Sequence, residues 1–318
     1  MRKRFDLHKN FILKNEILKN TLLIILLLSV FSCNGSITGQ ENTAEQMPLY
    51  HTWNSLNEME YLQRSFRFRE NVNPLFQDNP ADEFFPWAGI VSHHILAHDY
   101  IDAWFSCLSL MRNVKRFFII SPDHYGTAHR VFSLTGGSWD SGFGFVESDR
   151  KKVMEMAESL DTELDPNVFI SEHGISALMP YIKKYFPQAE VAAIVVSAES
   201  GVNTRTAGRL ADLLENEFDE EKKKENFLII SSDFSHKRGI EETALNDYQS
   251  MLYLENTDSA FRNLVICDNR SGIYILDRLG KNNIKSFILY HTNSWEISNN
   301  GMDDITSYFF VLFSDRSE

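Results

Sequence analysis

Phe117-Phe118-Ile119-Ile120-Ser121-Pro122-Asp123-His124 is an apolar run that breaks into a polar turn carrying a histidine. The same arrangement recurs in Gly89-Ile90-Val91-Ser92-His93-His94 and in Leu228-Ile229-Ile230-Ser231-Ser232-Asp233-Phe234-Ser235-His236. Short continuous apolar runs bounded by turn residues read as strands buried on both faces. In an open α/β sheet, parallel strands bring their carboxyl ends to one edge, and ligands bind there. The three histidine turns are therefore expected to converge.

The flanking sequence supplies the rest of a βαβ rhythm. Strands are predicted at 88–91, 115–121, 191–196, 227–231, 286–290 and 306–313, and helices at 96–111, 149–160, 174–185, 204–217, 241–254 and 271–280. The expected fold class is α/β: a three-layer α/β/α sandwich with a mostly parallel central sheet.

The 318-residue chain is 43% hydrophobic, enough for a large packed core. Its 31 basic and 44 acidic residues give a net charge of −13, which argues against a nucleic-acid partner. Six basic residues between Arg2 and Lys19 precede an apolar run from Leu22 to Phe31, the layout of a signal peptide over residues 1–32. The run ends in Val30-Phe31-Ser32-Cys33, which resembles a bacterial lipobox, although Phe31 stands where a small residue is usual. Cys33 is the expected lipidation site of an exported, membrane-anchored lipoprotein of the cell envelope. Removing residues 1–32 leaves 25 basic and 42 acidic residues, a net charge of −17. Residues 33–50 read as the lipidated cysteine and a flexible tether, and 51–318 as a single α/β domain. Only Cys107 and Cys267 would remain in the mature chain after Cys33, too sparse for a disulfide scaffold.

A histidine at a strand end can serve as a metal ligand, and imidazole suits iron, copper, zinc and nickel. Asp123 and Asp233 could orient rings or ligate. His94 and His98, four residues apart, form a rival pair that lacks the glutamate of a zinc-protease helix. Glu172 and His173 open a predicted helix that Ser171 could cap. Cys267 stands at another predicted helix start, a position that favours the thiolate. Cys107, between apolar neighbours inside a helix, reads as a core residue.

These residues resemble the Memo family (AmmeMemoRadiSam system protein B), whose members are similar to class III extradiol dioxygenases. The likeness runs from about Trp87 to Phe313. Ser92-His93 stands for the family's Pro-His, and Ser121-Pro122-Asp123-His124 for Gly-Pro-Ser-His. Glu172-His173 with Met179-Pro180 stands for the Glu-His segment ending in Leu-Pro. Ser231 to His236 stands for Ser-Ser-Asp-Leu-Ser-His, and Cys267 for the late cysteine, while Trp139-Asp140-Ser141 is similar to Trp-Asp-Thr.

The resemblance implies that His93, His124 and Cys267 hold a transition metal, iron or copper first and zinc next. It implies His236 as acid/base with Asp233 beside it, and Asp123, Glu172 and His173 as further pocket residues. The sequence departs from the family at His94-Ile95-Leu96, at Ser176 and at Asp268, which replace Ala-Gly-Tyr, a glutamate and a glycine. Two functions follow: a non-heme metal-dependent oxidoreductase, or a surface lipoprotein that binds metal or peptide without turnover. A metal-assisted hydrolase is a third class that no residue favours. The partner would be a small molecule or a peptide, with the membrane reached through the lipid.

Overall fold

The computed structural model describes residues 47–51, 84–197, 204–299 and 301–316. The chain divides into two units, Met1–Gln46 and Met47–Glu318, and every described residue belongs to the second. The expected signal peptide, Cys33, the tether up to residue 46 and residues 52–83 lie outside the described residues. Among the described residues no helix is long and apolar enough to cross a membrane.

The centre is a seven-stranded sheet. Its four middle strands are β2 (Ala88–Val91), β3 (Arg116–Pro122), β7 (Glu190–Val196) and β8 (Asn226–Ser231), in spatial order β7-β3-β8-β2 and all parallel. They are the strands that read as continuous apolar runs, and the reason is visible in their burial. Phe118, Ile120, Ile194, Leu228 and Ile230 enter one buried cluster, and Phe117, Ile119, Val195, Phe227 and Ile229 enter another. Successive side chains point to opposite faces, and both faces are covered.

Helices α2 (Arg150–Ser159), α5 (Thr204–Glu215), α6 (Ile240–Asn256) and α7 (Arg270–Gly280) contribute to the first cluster. Helices α1 (His98–Met111), α3 (His173–Ser176) and α4 (Met179–Tyr185) contribute to the second. The α/β/α sandwich is thus present. Phe105 of α1 stacks on Tyr181 of α4 with ring centroids 5.7 Å apart, and burying such a side chain is worth roughly 1.5–3 kcal/mol.

The mostly parallel sheet carries a mixed margin, because its three outer strands each pair antiparallel with a neighbour. They are β4 (Phe132–Leu134) on β7, β10 (Ser307–Asp315) on β2, and β9 (Ile284–Asn293) on β10. Strands β9 and β10 are joined through the five-residue helix α8 (Ser294–Ser298) and pair antiparallel from Ser307 opposite Asn293 to Asp315 opposite Ile284. The helix expected over 174–185 is two pieces, α3 and α4, because Pro180 has no N–H to continue a helical ladder and instead sits in the first turn of α4.

A second, three-stranded sheet pairs β1 (Leu49–His51), β5 (Ser138–Asp140) and β6 (Phe145–Val146). Leu49 and Tyr50, which read as tether, are a strand because the Tyr50 ring packs on Trp139 and Phe169 and its hydroxyl meets Thr135 Oγ1 at 2.5 Å.

Candidate metal centre

The carboxyl ends of the parallel strands deliver His93 after β2, His124 after β3 and Asp233 to His236 after β8 to one place. Helix α3 adds Glu172 and His173 from its start, and the turn before α7 adds Asp268. The rings of His93 and His124 have centroids 4.5 Å apart, His93 and His173 5.0 Å, and His124 and His173 4.2 Å. Ligand atoms of His93, His124 and His173 lie within 4.8 Å of one another, and so do those of His93, Asp233 and Asp268.

Both leading histidines are locked from behind. The Ser231 hydroxyl donates to the Gly174 carbonyl at 2.5 Å, so it accepts from His93 Nδ1 at 3.0 Å. His124 Nδ1 donates to Glu172 Oε1 at 2.6 Å, and the His124 backbone N–H donates to Glu172 Oε2 at 3.0 Å. With each Nδ1 engaged, both Nε2 atoms are left for the centre, the arrangement by which outer groups set the tautomer of a metal-binding imidazole. Glu172 is only 1% exposed and also accepts from Gly174 N at 2.7 Å, so it caps α3 in place of the expected Ser171. Gly174 has to be glycine, since a Cβ there would meet Ser121 Oγ at 2.1 Å.

Asp268 is the hub of the cluster. Its Oδ1 accepts from Ser232 Oγ at 2.8 Å and from Asp233 N at 3.1 Å. Its Oδ2 lies 3.4 Å from His93 Nε2, 3.3 Å from His124 Nε2 and 3.6 Å from His236 Nε2. Asp233 accepts from Ser92 Oγ at 2.6 Å through Oδ1, and its Oδ2 is 3.7 Å from His93 Nε2 and 3.9 Å from His236 Nε2. The His236 side chain is 44% exposed, on the solvent side of the group.

The charges follow from this packing. Burial opposes a charge on His124, but Asp268 and Glu172 outweigh it and lift the imidazole to about 10. His93 is likewise raised, burial being outweighed by Asp233 and Asp268. Despite burial, His124 and His93 hold the Asp268 carboxyl far below the usual range, and His124 holds Glu172 low. Burial and the charges of His93 and His124 push His173 down to about 3. His173 Nδ1 is buried with no hydrogen-bond partner among the described residues, and Glu172 Oε1 is 4.0 Å away. A buried ring nitrogen without a partner, on a ring whose centroid is 5.0 and 4.2 Å from two other imidazoles, fits a group that takes a metal ion.

The remaining sequence candidates fall elsewhere. Cys267 enters neither ligand group among the described residues and packs against a hydrophobic cluster. The helix-start lowering of its thiol is corrected: burial and the adjacent Asp268 carboxylate push it up to about 12. Both Asp123 oxygens are used on the backbone N–H groups of Thr127 and Ala128, so it shapes the turn instead of orienting a ring. His94 Nδ1 meets the Tyr308 hydroxyl and His98 pairs with Asp99 at 3.2 Å, so the rival pair forms no common site. Cys107 is buried in α1 as expected, its thiol pushed up to about 12 by burial.

Residues 68–279 match the model of the Memo-like protein family. The chain belongs to the Memo-like family. Similar relatives include the MEMO1 family protein of Caldivirga maquilingensis, 27% identical over 176 residues, which cover 54% of this chain and 59% of that protein. A MEMO1 family protein of Pyrobaculum aerophilum is 28% identical over 166 residues, 50% of this chain and 56% of the relative. A MEMO1 family protein of Saccharolobus islandicus is 24% identical over 274 residues, 79% and 92% of the two chains. The chain thus spans somewhat more than half the length of the first two relatives.

Two residues of this Memo-like site escape a reading of the sequence. Asp268 is marked in the sequence only as a departure from the family's glycine, and nothing there announces its place among the imidazoles. Asn269 caps α7 through Gly272 N at 2.9 Å, a role its position announces. Its Nδ2 also donates to the carbonyls of Ile120 at 2.8 Å and Ser231 at 2.9 Å, bracing the ends of β3 and β8, and nothing in the sequence announces that.

Proposed function

We propose that this Memo-like protein is a metal-dependent oxidoreductase with a class III extradiol dioxygenase-like centre, borne on an exported lipoprotein. The observation that carries the reading is the pair of Nε2 atoms on His93 and His124, each locked from behind by Ser231 or Glu172. His93 and His124 would hold the ion, with His173, Asp233 and Asp268 beside them. Imidazole with carboxylate suits iron first, then copper and zinc. The ion, when bound, supplies electrophilic activation of a substrate or of dioxygen.

The protein's own groups supply the rest. His236 is half-exposed and 3.6 Å from Asp268 Oδ2, able to reach an incoming substrate while one face stays near a carboxylate. Its role is to take and return a proton, with Asp233 holding the ring. Exported, lipid-anchored localisation rests on the basic stretch, the apolar run and Cys33.

Oxygen consumption with catechol-type diols tests this. His236→Ala is expected to lower turnover by about 10²–10⁴-fold with metal content unchanged. Bound metal with no oxygen uptake on any diol would leave the second reading, a non-catalytic metal- or peptide-binding lipoprotein.

A further inference from the structure

We infer that Asp268, and not Cys267, completes the metal site, so that the centre is two histidines and one carboxylate. The inference rests on the metal-binding reading above and deepens it by naming the third ligand.

Three observations support it. First, Asp268 Oδ2 stands 3.4 Å from His93 Nε2 and 3.3 Å from His124 Nε2. Two donor atoms each about 2.0–2.2 Å from one ion are themselves about 3–3.5 Å apart. Second, the carboxylate is aimed. Its Oδ1 is held by the Ser232 hydroxyl at 2.8 Å and the Asp233 N–H at 3.1 Å, which leaves Oδ2 turned toward the imidazoles. The Asp268 backbone is tied as well, its N–H donating to the Asp233 carbonyl at 3.0 Å. Third, Cys267 is occupied otherwise. Its thiol is buried, hydrogen-bonded with the Ser232 side chain and packed against a hydrophobic cluster, and its backbone pairs with Phe234 in an isolated antiparallel bridge.

A hydrogen-bonded His-Asp-His group with no ion would also bring these atoms close. It would not account for His173, whose ring centroid lies 5.0 Å from that of His93 and 4.2 Å from that of His124 and whose buried Nδ1 has no hydrogen-bond partner among the described residues. Replacing a thiolate by a carboxylate hardens the donor set. Two histidines and a carboxylate with open positions are the ligand set of non-heme Fe(II) oxygenases, and the preference moves from Cu(I) toward Fe(II). His236 Nε2, 3.6 Å from the same Oδ2, borders the side left for substrate.

The test is titration of the full chain and of Asp268→Asn and Cys267→Ser variants with Co(II) and with Fe(II) under anaerobic conditions. Binding is read by metal content after gel filtration and by the Co(II) absorption spectrum. Wild-type protein is expected to take up Co(II) with visible ligand-field bands and no near-ultraviolet thiolate charge-transfer band. Cys267→Ser should bind within about 3-fold of wild type. Asp268→Asn should lose more than about 100-fold, beyond the 10–100-fold that a residue merely orienting a ligand costs. A thiolate band that disappears in Cys267→Ser, or a smaller loss in Asp268→Asn, overturns the inference while leaving a metal protein. Failure of wild-type protein to bind either ion overturns the metal-binding reading and this inference together. The wild-type spectrum needs no variant, so a misfolded substitution does not block the test.

Discussion

At His124 the protein holds a proton where a metal ion would sit. Without an ion, Asp268 and Glu172 offset burial and lift this imidazole to about 10, and His93 is raised in the same way. A raised value means that the protonated form persists at neutral pH, and an ion must displace that proton to reach Nε2. Metal affinity should therefore grow as pH rises from 6 to 9, by about tenfold per unit for each proton displaced. Calorimetry in buffers of different ionisation enthalpy checks this through the protons released, and an affinity that does not change with pH would contradict it. Much of the site is legible at this scale. His93, His124, Glu172, His173, Asp233 and His236 all stand in turns that follow apolar runs or open helices, so residue type and position suffice to nominate them. Asp268 is not legible, because its role depends on which way one carboxylate oxygen faces. Asp123 misleads for the same reason: its oxygens turn to the backbone of Thr127 and Ala128.

At the level of elements, Asn269 joins helix α7 to two strands. It is 1% exposed, caps the helix and satisfies the carbonyls of Ile120 and Ser231. Asn269→Ala should cost about 1 kcal/mol for the cap and about 1–3 kcal/mol more for stranded buried carbonyls. Urea unfolding measures the sum, and a change below about 1 kcal/mol would mean that water replaces the side chain. The same substitution should loosen metal binding, because Asp268 is its neighbour in the chain. The central strands are readable from sequence since burial on both faces leaves a continuous apolar run. Strands β4, β5 and β6 are two or three residues long and carry no period. The break between α3 and α4 is written in Pro180, but Leu178 and Met179 continue the apolar pattern across it and hide it.

For the whole molecule, the proposed export signal and lipidated Cys33 yield a prediction of their own. Cys33→Ala should move the protein from the membrane fraction to the soluble one and abolish incorporation of labelled fatty acid, because stable anchoring needs the acyl chains that this cysteine would carry. Retention in the membrane after that change would refute the lipidated cysteine. The family, the layered α/β architecture and six residues of the cluster follow from the chain alone, because apolar runs, turn residues and short motifs are local features. The antiparallel outer strands, the bracing by Asn269 and the place of Asp268 among the imidazoles required the folded chain. Each depends on atoms from segments far apart in sequence, brought within hydrogen-bond distance only by the packing of the sheet and its helices, and no local pattern of residues encodes such a distance.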